Sequence, residues 1–128
     1  MSVLLDTHAC LWFIAGDTRL SPTARKAIED PSETKFVGVA SLWEMAIKVS
    51  LGKLQLTQPF ESLIPRQLEL NGFRILPIDT DSVARIVSLP FHHRDPFDRL
   101  LAAQCLTQNL TLVSGDVSFD AYGVRRVW

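Results

Sequence analysis

Short apolar runs alternate along this chain with stretches whose apolar residues recur at helical spacing, and this alternation restricts the fold more than any other feature. Val3-Leu4-Leu5 predicts a buried strand, followed by a helix from Thr7 through Leu11, Trp12 and Ile14 to Gly16. Ser21-Pro22 opens a second helix as N-cap and first-turn proline, and Asp30-Pro31 closes it. Lys35 to Val39 predicts the next strand, and Leu42, Met45, Ala46 and Val49 mark a helix ending near Gly52. Pro59 to Leu70 has helical character, with Pro65 expected to kink or split it. Phe73 to Ile78 supplies a third strand, and Thr80 is expected to cap a helix through Val83, Ile86 and Val87. Asp95-Pro96 starts a helix whose apolar face is Leu100, Leu101, Cys105 and Leu106. Leu110 to Ser114 predicts a fourth strand, Val117 to Tyr122 a turn or short helix, and Val124 to Val127 an added edge strand. Strands and helices in this order imply an α/β fold, a parallel-dominated, Rossmann-like sheet sandwiched by helices. With no repeat or linker, residues 1–128 are expected to form a single domain.

The charge balance narrows the partners. Lys+Arg 13 against Asp+Glu 14 gives a net charge of -1, so no global basic field draws in nucleic acid. Such a partner must be held by local charge, for which Lys48 with Lys53, Arg94 with Arg99, and Arg125 with Arg126 are candidates, or by a bound metal. Cys10 and Cys105 each lie in an apolar helical pattern and outside any CxxC spacing, which argues against zinc and for buried free thiols. The longest apolar run, Ala9 to Ala15, is too short to span a bilayer. A cytoplasmic protein with no membrane partner is the expectation.

The acids fall in a suggestive pattern. Asp6 follows the first strand and Asp116 follows the fourth, where open α/β sheets place their ligands. Asp98 sits in the first turn of the helix opened by Asp95-Pro96, and Glu44 is placed in the first turn of the helix after the second strand. Each has a structural explanation as well. Asp6 or Thr7 can cap a helix, Ser41 with Glu44 forms a capping-box pattern, and Glu44 with Lys48 is a favourable pair four residues apart. Strand ends and helix starts share one rim of such a sheet, so all four carboxylates are expected to face one cavity. Four anions together repel unless a cation sits among them, and hard oxygen donors suit Mg²⁺ or Mn²⁺. Metal sites of this kind handle phosphate esters.

Leu4-Leu5-Asp6-Thr7-His8, Ser41-Leu42-Trp43-Glu44, His93 through Gln104 and Leu112-Val113-Ser114-Gly115-Asp116 resemble the PIN-domain family, and more narrowly its VapC-type toxins from type II toxin–antitoxin pairs. The Asp95-Pro96-Phe97-Asp98-Arg99 segment is the specific part of the likeness. The resemblance implies a Mg²⁺- or Mn²⁺-dependent ribonuclease with catalytic, metal-holding Asp6, Glu44, Asp98 and Asp116. It further implies a homodimer, an RNA substrate, a partner antitoxin that blocks the site, and products with 5′-phosphate and 3′-hydroxyl ends. Asp6 and Asp98 are expected to hold the principal ion, with Asp116 and Glu44 completing the shell or orienting water. Thr7, Ser41 and Ser114 are placed to hydrogen-bond these acids.

Asp95 is expected to cap its helix; His92 and His93 are placed to assist proton transfer, but bonding backbone from their loop is the favoured reading. Arg94 and Arg99 are set to meet RNA phosphate, or Arg99 to pair with an internal acid. Trp12, Trp43 and Phe97 are expected in the core or at a dimer interface. Two other readings stay open at this level. A Mg²⁺-dependent phosphatase with an aspartyl nucleophile would share an acid after the first strand, although Asp6 lacks a second acid two residues on. A non-catalytic module of the same fold would keep binding while dispensing with Asp98.

Overall fold

The first strand of the chain is the middle of the sheet. In the computed structural model, which describes residues 2–128, β1 (Ser2–Leu5) pairs with β2 (Thr34–Gly38) on one side and β4 (Thr111–Val113) on the other. With β3 (Arg74–Leu76) and β5 (Arg126–Val127) outermost, the order is β3-β2-β1-β4-β5 and every pairing is parallel. Parallel sheets of this kind are covered on both faces, which explains why Val3, Leu4 and Leu5 are all buried. The pleat sorts them. Val3 and Leu5 join one core with Ala9, Cys10, Ile28, Met45 and Ile64, whereas Leu4 joins another with Leu101, Ala102, Leu112 and Phe119.

The first core is roofed by α1 (Thr7–Ala15), α2 (Pro22–Glu29), α3 (Val39–Ser50) and α4 (Phe60–Leu70). The opposite face carries α6 (Pro96–Gln108), against which α5 (Thr80–Ile86) packs. Helix boundaries follow the anticipated caps at Ser21, whose Oγ accepts from the Ala24 N–H at 3.0 Å, and at Asp95. Gly16 closes α1 in the left-handed region at φ 65°, where a side chain would be strained. Val117–Tyr122 forms a 3₁₀ turn.

Three local expectations need correction. Pro65 does not split α4, because it removes only one ladder bond while Ile64 and Leu68 on either side are anchored in the core. α5 is capped by Asp79, whose Oδ2 accepts from the Ser82 N–H at 3.0 Å, so Thr80 is the first helical residue. α3 starts at Val39 with Gly38 as a cap that offers no side chain, which leaves Ser41 inside the helix and moves Glu44 out of its first turn. No capping box forms there.

Both thiols are buried, and burial pushes each up to about 12, so Cys10 and Cys105 behave as core residues. No helix among the described residues is long and apolar enough to cross a membrane. Trp43, expected in the core or at an interface, is 60% exposed and meets Phe97 edge-on at 5.3 Å.

Candidate active site

The strand order reverses between β1 and β4, and open α/β sheets bind ligands in the crevice at the carboxyl ends of such strands. Asp6 leaves β1 at this point. Its backbone N–H continues the ladder to Val113 O at 3.1 Å, and its Oδ1 accepts from the Ala9 N–H at 2.7 Å as the N-cap of α1. Burial raises the Asp6 carboxyl above its ordinary range, against the pull of hydrogen bonds from Ser114 and Ala9 and the attraction of His8; the Asp116 charge adds to the rise. One side chain thus caps the helix and lies at the switch point of the sheet.

Asp98 is held by the first turn of α6. The cap is Asp95, whose Oδ1 accepts from the N–H groups of Phe97 at 2.8 Å and Asp98 at 3.3 Å. The helix terminus favours an anion, yet Asp98 is pushed up to about 7. Burial is the largest cause; Asp95, Glu44 and Asp116 add like-charge repulsion, and His93 partly opposes it. Asp116 caps the 3₁₀ turn, with Oδ1 accepting from Ser118 N–H at 2.9 Å and Ser118 Oγ at 2.6 Å. Partial burial pushes its carboxyl up, but the bonds from Ser118 and His93 outweigh this and hold it below the ordinary value.

One nitrogen joins these two acids. His93 Nε2 lies 3.1 Å from Asp98 Oδ2 and 3.1 Å from Asp116 Oδ2. His93 Nδ1 accepts from the Asp95 N–H at 3.3 Å, so the proton belongs on Nε2, where it points at both carboxylates. The backbone bond expected for this loop histidine is present, but its ring also reaches the acids. His93, Asp98 and Asp116 form a cluster with donor atoms within 4.8 Å of one another. Sequence reasoning left His93 outside the acid set because its place depends on contacts distant in the chain. Tyr122 Oη accepts the His93 N–H at 2.9 Å, and Arg99 holds the same loop from within.

Arg99 is 5% exposed and pairs with no acid among the described residues. Its guanidinium donates to the carbonyls of Pro90 at 2.9 Å, Leu89 at 3.1 Å and Ile86 at 3.3 Å, beneath the Phe91 ring at 4.0 Å. The donor fork thus ties α6 to the end of α5 and is withdrawn from any phosphate. Arg94 remains exposed beside the site.

Glu44 reaches the region from α3. Its Oε1 accepts from Thr7 Oγ1 at 2.5 Å and its Oε2 pairs with Lys48 at 3.1 Å. Of the three hydroxyls expected beside the acids, Thr7 bonds Glu44 and Ser114 bonds Asp6, while the buried Ser41 Oγ has no partner among the described residues. Ser114 Oγ also accepts the Asp116 N–H at 3.1 Å, which couples the ends of β1 and β4. A cleft of about 390 Å³, lined by Asp6, His8, Trp12, Arg19, Gly115, Asp116 and Trp128, opens beside them.

The donor set suits a hard divalent cation. The Asp98 and Asp116 oxygens converge on His93, with Asp6 and Glu44 outside that cluster, and a cation there would relieve the repulsion that, with burial, pushes Asp98 up.

Comparison with known proteins identifies the family and the fold. Residues 3–124 match the PIN domain family. Over 116 residues, 90% of this chain and 87% of the relative, the sequence is 34% identical to Ribonuclease VapC22 of Mycobacterium tuberculosis. VapBC2 of Rickettsia felis, solved bound to a DNA fragment from its promoter, has a similar fold, with TM-score 0.75, 16% identity and coverage of 98% of this chain and 97% of that one. VapBC-1 of nontypeable Haemophilus influenzae gives TM-score 0.70 at 14% identity, covering 98% and 96%.

Proposed function

The chain belongs to the PIN-domain family, and on that premise we propose that it is a divalent-metal-dependent endoribonuclease acting as the toxin of a toxin–antitoxin pair. The observation that carries the proposal is the meeting of Asp98 and Asp116, from α6 and the loop after β4, on one His93 nitrogen at the switch point of the sheet. The relative named as a ribonuclease supports the RNA substrate, and the VapBC neighbours support an antitoxin partner.

In this reading Asp98 and Asp116 would hold Mg²⁺ or Mn²⁺, and Asp6 and Glu44 would complete the set of acids around it. When bound, the ion supplies Lewis acidity that activates water and stabilises charge on the phosphoryl oxygens. Ser114 and the α1 N-terminus fix Asp6, Ser118 fixes Asp116, and Asp95 fixes the turn that carries Asp98. Thr7 and Lys48 keep Glu44 oriented. His93 Nε2–H restrains the two carboxylates from separating. The homodimer implied by the resemblance is part of the proposal; Val83, Val87 and Phe91, all exposed, offer apolar surface for a protein partner.

The test is incubation of purified protein with mixed tRNA and rRNA in Mg²⁺ and in Mn²⁺. Internal cuts leaving 5′-phosphate and 3′-hydroxyl ends, abolished by chelator, are expected. Cutting that survives the chelator contradicts metal dependence, and a phosphoenzyme trapped on Asp6 would point to a phosphatase instead.

A further inference from the structure

Beside the acids, the cleft of about 390 Å³ has a second character. Its remaining wall is aromatic: His8 stacks on Trp12 with centroids 5.3 Å apart, and Trp12 meets Trp128 at 5.9 Å. Arg19 lies over Trp12, its Cζ 4.9 Å from the ring centroid, and pairs with Asp17 through Nε and Nη2, so Nη1 takes no part in that pair. Trp128 touches the loop that carries Asp116. A Cβ on Gly115 would come within 2.9 Å of the Trp128 indole, so glycine is what lets the ring lie against the residue preceding Asp116.

Rings that serve only as core pack until space is gone, and Trp12 and Trp128 do contact the core beneath β1. Here they also border an open cleft whose other wall is Asp6 and Asp116. Two carboxylates and one guanidinium line it, so a second phosphate is disfavoured there, whereas a neutral, flat group gains contact with the rings.

Resting on the ribonuclease reading, we propose that this cleft is a base subsite that takes one unpaired nucleobase of RNA next to the scissile phosphate. The base lies against Trp128, beside the Trp12 ring that already carries His8 and Arg19. A paired base has no free face to offer, so the subsite selects single-stranded segments such as loops.

The experiment measures binding of a short unpaired RNA, and of its duplex, to Asp98→Asn protein in Mn²⁺ by anisotropy of labelled RNA. Adding Trp128→Leu is expected to weaken unpaired RNA roughly 5- to 150-fold, the range of one base–aromatic stack, and to leave the duplex unchanged. Gly115→Ala, which pushes a methyl group into the indole, is expected to weaken unpaired RNA in the same direction, giving a second variant if Trp128→Leu fails to fold by circular dichroism. Equal affinity with and without the folded variants, equal losses for duplex and unpaired RNA, or no saturable binding overturns the subsite. Cleavage of the same RNA by the unsubstituted chain is scored separately, so an absence of cutting counts against the ribonuclease reading while the binding comparison still decides the cleft.

Discussion

Thr7 Oγ1 donates to Glu44 Oε1 at 2.5 Å, joining the first residue of α1 to the second turn of α3 across 37 positions of sequence. The bond explains why an acid with no cap to make is oriented toward the site. Thr7→Val keeps the shape but removes the donor. It is expected to cost about 1–2 kcal/mol in urea unfolding, because Glu44 loses a partner in a mostly buried setting. Thr7→Ser should recover most of that loss, which would separate the hydroxyl from the packing of the methyl group.

Arg99 gives a sharper contrast. Its three carbonyl acceptors lie at 2.9–3.3 Å and its side chain is buried, so Arg99→Met should destabilise by about 2–4 kcal/mol by stranding acceptors. Arg99→Lys should not rescue, since one ammonium cannot reproduce the planar fork. Unchanged stability with weakened RNA binding would return Arg99 to the phosphate role.

Titration of Asp98 sets a pH signature in metal-free protein. Its folded carboxyl is pushed up to about 7 by burial and by the Asp95, Glu44 and Asp116 charges, from an ordinary 3.8. Between those values the folded chain holds a proton that the unfolded chain releases. The stability this confers is therefore complete below about 3.8 and lost as pH rises through about 7. Asp98→Asn removes the penalty. In chelator, its unfolding free energy should match the parent near pH 4 and exceed it at pH 8, by about 1–2 kcal/mol once the solvent reaching the site is allowed for. A difference that shrinks as pH rises would reverse the assignment.

Local signals carried most of the architecture. The all-apolar Val3-Leu4-Leu5 run, Ser21-Pro22 and Asp95-Pro96 act within one or two turns of chain, and they delimit elements where the chain places them. Asp6, Asp98 and Asp116 were legible for the same reason, each being fixed by the start of its own helix or turn. Ser41 with Glu44 misled, because Gly38 and Val39 had already begun the helix and tertiary contact with Thr7 claimed the carboxylate. The meeting of His93 with Asp98 and Asp116 was not legible. The His93 ring is aimed by Tyr122, 29 residues away, and by a loop pinned on buried Arg99. Neither contact leaves a periodic or motif trace. The aromatic wall likewise joins Trp12 to Trp128 from opposite ends of the chain.

We propose that Asp98 and Asp116, brought to one His93 nitrogen, form a single cation site. Calorimetric titration of Mn²⁺ into the parent, Asp98→Asn and Asp116→Asn proteins, all confirmed folded, tests it most directly. Saturable binding in the parent that weakens at least about tenfold in each variant is the expected result. Binding of equal strength in all three proteins would contradict the site.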